Sequence, residues 1–244
     1  MTTDRRLYSM DLGRRDHARW LGSNRYAGGA PPLPLAGILA AYYAANAVTG
    51  ATLTVPNTHG AGPSATQSTA LNQPAKTTHG TLGDVLDFDG TNDRLVIDGL
   101  STASTSHTII VVADMNATTA TSRMIIDWQT GRYAWLQEFF SGDNVSVLDS
   151  AVRALTAGTV GAQVLTLTNA AGAITLYRAR ASVGTTTGVA RALGGTARIG
   201  SDFTGGAPAD MQLAALFVWE AALDATARTA AWDHISARWP GLGL

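Results

Sequence analysis

A chain of 244 residues, 45% hydrophobic, 14% charged and with a net charge of −1, can bury one large core or two small ones and carries no overall field that would select nucleic acid or a membrane surface. The lack of cysteine excludes disulfides and thiolate metal sites. Without disulfides, stability must come from apolar burial; no apolar run reaches the length of a membrane span, and 26 glycines suit many short strands joined by tight turns.

Residues 1–30 differ from the rest. Six arginines (Arg5, Arg6, Arg14, Arg15, Arg19 and Arg25) face three aspartates, and Tyr8, Trp20, Tyr26 and several leucines are interleaved with them. Tyr, Trp and Arg are the side chains that anchor interfaces, so this composition predicts an arm that docks on another protein or subunit. Nucleic acid is the weaker reading, because the aromatics point to a protein surface. No apolar stretch follows Arg5 and Arg6 as it would in a secretory or twin-arginine leader, and none is expected. Gly28, Gly29, Pro31, Pro32 and Pro34 mark a linker. The expected division is an arm and linker over residues 1–34 and a globular domain over residues 35–244.

The domain reads as strands and turns. Residues 39–45 form an apolar, aromatic opening strand, and residues 65–74 a polar loop. In residues 82–97, Val85, Asp87 and Asp89 alternate with Leu86 and Phe88, a Gly/Asn/Asp cluster follows, and Arg94 to Ile97 runs on. That pattern is a hairpin signal. The continuous apolar run of residues 107–115 predicts a buried strand. Residues 124–138 and 163–179 predict two further hairpins, turning at Thr130-Gly131 and at residues 169–172. Short strands are expected at residues 145–148 and 197–200, and a long one at residues 211–220. Asp224 then offers an N-cap to a helix carrying Ala231, Trp232, Ile235 and Trp239 at helical spacing, stopped by Pro240.

Several of these segments share wording with one family. Phe88, Asp89, Gly90, Thr91, Asn92 and Asp93 match its Phe-Asp-Gly-Thr-x-Asp turn. Residues 39–45 resemble its first strand, with Tyr42 in the place of a Trp. Residues 65–74, 173–179, 197–200, 211–220 and the terminal helix follow in the family's order, although Arg178, Ala179 and Arg180 replace its usual Asn-Gly. The chain over residues 35–244 thus resembles a concanavalin A-like, laminin-G-type jelly-roll domain of the kind found in bacteriophage virion structural proteins. The resemblance implies an all-β antiparallel β-sandwich with an N-terminal arm and a C-terminal helix. The core is expected to include Leu86, Phe88, Leu95, Ile97, Ile109, Val111, Ile125, Leu165, Leu167, Ile174, Leu176, Ile199, Leu216, Val218 and Trp232.

Chemistry is sparsely provided for. Hydrolases of this jelly roll use a Glu-x-Asp-x-x-Glu face, whereas the two glutamates here, Glu138 and Glu220, stand far apart. No Gly-x-Ser-x-Gly elbow accompanies the five histidines, and the paired glycines lack a phosphate-cradle context. Asp87, Asp89 and Asp93 gather hard oxygen donors, which makes calcium a candidate ligand, but Asp-Gly and Asn-Asp serve a turn equally well without an ion. Tyr133, Asp202 and Phe203 are the candidate glycan contacts, and Trp128 and Trp135 are assigned to the core.

The resulting expectation is a non-enzymatic structural or adhesion protein of a phage-like virion, a head decoration, fibre, or tail or baseplate component. Its arm docks on virion partners and on copies of itself, and its sandwich faces outward toward host glycan. A free carbohydrate-binding module is the alternative, and a glycan hydrolase ranks below both.

Overall fold

The computed structural model describes residues 31–115, 122–130, 133–138, 144–148 and 152–244. The arm residues Arg5, Arg6, Tyr8, Arg14, Arg15, Arg19, Trp20 and Arg25 lie outside them. In chain order the strands are β1 (Ile38–Tyr43), β2 (Leu53–Val55), β3 (Ala65–Gln67), β4 (Ala75–His79), β5 (Gly83–Asp89), β6 (Leu95–Ile97), β7 (His107–Met115) and β8 (Ser122–Thr130). They continue as β9 (Tyr133–Glu138), β10 (Asn144–Leu148), β11 (Val152–Ala157), β12 (Gly161–Ala170), β13 (Ala173–Arg178), β14 (Ala181–Thr187), β15 (Gly194–Ile199) and β16 (Asp210–Trp219), followed by helix α1 (Ala225–Arg238).

The strands form two eight-stranded sheets with antiparallel pairing. The first runs β14-β13-β12-β7-β16-β5-β4, and the second β11-β10-β9-β8-β15-β6-β3-β2. Strand β16 is long enough to hold two neighbours on one side, β5 along residues 210–213 and β1 along residues 215–219. Alternation along each strand decides what goes inside. Leu86, Phe88, Ile109, Val111, Leu165, Leu167, Leu216 and Val218 of the first sheet meet Leu95, Ile97, Ile125, Trp128, Val147, Ala197 and Ile199 of the second in one apolar cluster. Every core residue expected from the sequence is buried.

The other face of the first sheet is apolar as well, which explains why β7 and β16 read as unbroken hydrophobic runs. Tyr43, Val85, Ile110, Val112, Val164, Phe217 and Trp219 pack there against Trp232, Ile235 and Trp239. Helix α1 starts where Asp224 accepts the Ala227 amide (2.8 Å) and ends before Pro240. Each buried indole N–H donates to a partner: Trp232 to Thr166 Oγ1 (3.0 Å), Trp239 to Leu82 O (2.8 Å), Trp219 to Pro34 O (2.9 Å) and Trp128 to Leu100 O (3.1 Å). Residues 31–34, expected as linker, lie on the sandwich. Leu33 is buried in this second cluster, and Pro31 O is bonded to His234 Nδ1 (2.8 Å). The compact unit accordingly spans Pro31–Leu244. A leucine between prolines has a bare apolar sheet face to cover, and that outweighs the extended bias of the prolines.

The expected hairpin across residues 82–97 is a corner instead. Strand β5 belongs to the first sheet, between β4 and β16, whereas β6 belongs to the second, between β3 and β15. Phe88 and Leu95 both point into the interior, so the chain crosses from one layer to the other. The expected loop over residues 65–74 begins with strand β3. The hairpins β8–β9 and β12–β13 form as expected, the latter turning through Ala171 (φ 50°) and Gly172 (φ 101°).

One consequence concerns acid. His107 is wholly buried at the start of β7, and burial pushes its imidazole down to about 4. Burial also lowers His59 and, with the nearby Arg238 and His59 charges, His234, against the opposing hydrogen bond to Pro31 O. A histidine held neutral in the fold keeps its full contribution above its unfolded value near 6.5 and loses it as pH falls toward the folded one. The domain should therefore lose about 2–3 kcal/mol between pH 7 and pH 4.5 through His107 alone. Melting curves of the wild type and a His107→Gln variant check this: the variant should show the shallower pH dependence, and equal slopes would refute it.

Candidate functional site

The Asp89 to Asp93 corner is closed by its own carboxylates. Asp89 Oδ1 accepts the amides of Thr91 (2.8 Å) and Asn92 (3.4 Å), and Asp93 Oδ2 accepts the Asp89 amide (3.1 Å). Asp93 is buried. Burial raises its pKa, the Asp89 amide opposes the rise, and the charges of Asp89 and Asp87 add to it. Asp87 stands two residues before Asp89 on the same face of β5, opposite Gln212. Calcium takes six to eight oxygens. Among the described residues no three His, Asp or Glu side chains gather into a metal-holding group. The chemistry this corner performs is turn formation: Gly90 takes φ 73°, and two acceptors satisfy three amides that no strand reaches.

Asp202 and Phe203 lie in the loop between β15 and β16, on the outer side of the second sheet. The sheet register places them. Thr66 of β3 pairs with Val96 of β6, Val96 with Arg198 of β15, and Arg198 with Asp127 of β8. Among the residues on either side of these, Ala65, Leu95, Ile97, Ile126, Trp128, Ala197 and Ile199 are in the interior cluster. This row therefore faces outward. Arg94 precedes Val96 by two residues and takes the same side. Diagonal neighbours of this kind stand about 7–8 Å apart, so Arg94 and Arg198 are adjacent.

The loop is folded tightly over this row. Asp202 Oδ1 accepts from the amides of Thr204 (2.8 Å) and Gly206 (2.7 Å) and from the Thr204 hydroxyl (2.7 Å). Partial burial alone would raise the Asp202 carboxyl, but the hydrogen bonds from Thr204, Gly206 and Gly205 outweigh it and hold the carboxyl below its usual range. Asp127 is buried beneath, its Oδ2 accepting the Phe203 amide (2.9 Å). Gly205 brings the backbone against both arginines. A Cβ there would lie 3.2 Å from Arg94 Nη1 and 3.9 Å from Arg198 Nη1. Arg198 Nη1 donates to Asp202 O at 3.4 Å.

Of the glycan residues expected from sequence, Asp202 and Phe203 thus share one site. Tyr133 stands opposite Trp128 in the β8–β9 register, and its side chain lies outside those described. Trp128 is fully buried, as assigned, while the side chain of Trp135 lies outside those described. Asp202 acts first as the brace of its own loop. Sequence reading passed over Arg94, Asp127 and Arg198. The signal was present for Arg198, since a charge between the apolar Ala197 and Ile199 on an alternating strand must face outward. Glu220, one of the two glutamates, accepts the Ala103 amide.

No protein-family model and no curated protein matches the chain in sequence. The fold has many likenesses among solved structures. The Trypanosoma rangeli sialidase superposes with a TM-score of 0.58 at 11% identity, over 84% of this chain and 33% of that one. Domain 4 of a GH43 extracellular arabinanase from Geobacillus stearothermophilus, solved with arabinotriose, gives 0.58 at 12% identity over 80% of this chain and 98% of the domain. The ligand-binding domain of botulinum neurotoxin serotype D, solved with N-acetylneuraminic acid, gives 0.55 at 10% identity over 81% of this chain and 50% of that one. The chain spans about a third of the sialidase it matches. At such identities the likeness is one of fold: this is an antiparallel β-sandwich of jelly-roll type.

Proposed function

We propose that the chain is a non-enzymatic glycan-recognising display protein of a bacteriophage-like particle, carried on it by residues 1–30. The observation that carries the recognition step is the asymmetry of the two sheets. The outer face of the first is sealed by helix α1, while the outer face of the second holds the Thr66-Val96-Arg198-Asp127 row and the Asp202 loop, which belong to neither apolar cluster. A polar sheet face edged by a braced loop with an aromatic residue suits a ligand rich in hydroxyl groups. Two of the similar folds are solved with sugars, arabinotriose and N-acetylneuraminic acid, which supports the reading.

The particle step is supported by the phage-type wording of residues 39–97 and by the six arginines and the aromatics of residues 1–30. Absence of turnover is supported by the duties of the carboxylates: Asp89, Asp93, Asp127 and Asp202 each accept backbone amides, as Glu220 does. The test is co-expression of the chain, with and without residues 1–30, alongside the particle. The full chain should co-purify with particles at constant copy number, and the shortened one should fold and stay free. Normal incorporation of the shortened chain would refute the role of the arm.

A further inference from the structure

The geometry points to Arg94 and Arg198 as the binding site for a carboxylate-bearing sugar residue, so that the glycan recognised is acidic; this rests on the glycan-recognition reading and names its ligand class. The two guanidinium groups stand side by side on the outer face of the second sheet and both flank Gly205. Like charges side by side repel, and Asp127, opposite Arg198 in the register, and Asp202 offset only part of that cost. Each offers five N–H donors in a fixed fork. Among the described residues the Arg198 side chain makes one bond, the long one to Asp202 O, and that of Arg94 makes none.

The two neighbouring carboxylates do not fill this demand. Asp202 Oδ1 is held by three donors of its own loop, and Asp127 Oδ2 takes the Phe203 amide from beneath. Neither forms an ion pair with Arg94 or Arg198 among the described residues. Both arginines are half-buried, so part of the hydration they lose is already lost before a ligand arrives. Gly205 has φ 91° and no side chain, which lets the loop backbone lie against the two forks. Planar carboxylate against paired guanidinium forks is the strongest match of charge and shape this surface can make. Phe203, half-buried and held by its amide to Asp127, is the aromatic residue of the same loop and the one offered to the sugar ring.

The test is calorimetric titration of the full chain with a panel of uronate and sialate oligosaccharides, each paired with its carboxyl-reduced form. An acidic member should bind, weakening as salt rises, and its reduced form should bind about tenfold more weakly or not at all. Arg94→Gln and Arg198→Gln should each cost about tenfold with unchanged melting temperature. The Arg94→Lys/Arg198→Lys pair, which keeps charge but loses the fork, should recover only part of the affinity. Equal binding of acidic and reduced forms, or of the wild type and the Gln variants, overturns the assignment to these arginines and leaves glycan recognition standing. No binding by any oligosaccharide, acidic or reduced, overturns both.

Discussion

Replacing Trp232 by Ala should cost about 3–5 kcal/mol and lower the melting temperature by about 10 °C, one of the largest effects of any helix substitution. The indole is buried between α1 and the outer face of the first sheet, with the Tyr177 ring 5.6 Å away and the Arg228 guanidinium over both rings. Its N–H also satisfies Thr166, whose hydroxyl is fully buried in the middle of β12. The substitution opens a cavity and strands a polar group at once, and the two costs add. Adding Thr166→Val to the Trp232→Ala variant should recover about 1 kcal/mol, because the stranded hydroxyl goes with it. A loss below about 1 kcal/mol for Trp232→Ala would mean that the helix does not seal this face.

Gly200→Ala should be comparably severe. Gly200 follows β15 at φ 84°, and a Cβ there would fall 2.4 Å from Phe88 Cδ1 and Cε1 and 3.1 Å from Asp93 O. Left-handed backbone strain costs about 1 kcal/mol, and forcing Phe88 from its place costs about 1–3 more. The movement would spread to the corner that joins the sheets, since Phe88 and Asp93 bracket it. Gly83→Ala is the matched control: its φ is 70° but nothing lies within 4 Å, so only the strain remains. Denaturant titration should separate the two by about 2 kcal/mol, and equal losses would show that the corner yields to accommodate the methyl.

Much of the sandwich was legible because its code is local. Alternation in β12 and β13, the Asn169 to Gly172 turn and the Asp224 cap each name a structure without reference to distant residues. Partner choice is not local, and the reading failed there. Residues 83–97 carry the same alternation whether their two arms pair with each other or part to separate sheets. What separates them is that Phe88 and Leu95 must both reach one interior while β16 and β15 claim their edges. Short strands such as β2 and β3 carry too few residues to show a period. The candidate site was half visible for the same reason. Asp202 and Phe203 stand out in a loop, but the closeness of Arg94 to Arg198 exists only once β6 pairs with β15.

Recognition without turnover is the central property expected of this chain. The direct measurement is incubation of the full chain with acidic polysaccharides, followed by size separation that reads both complex formation and polymer length. The chain should travel with the polymer and leave its length unchanged over hours. Shortened polymer, or a chain that never associates with any polysaccharide offered, would contradict it.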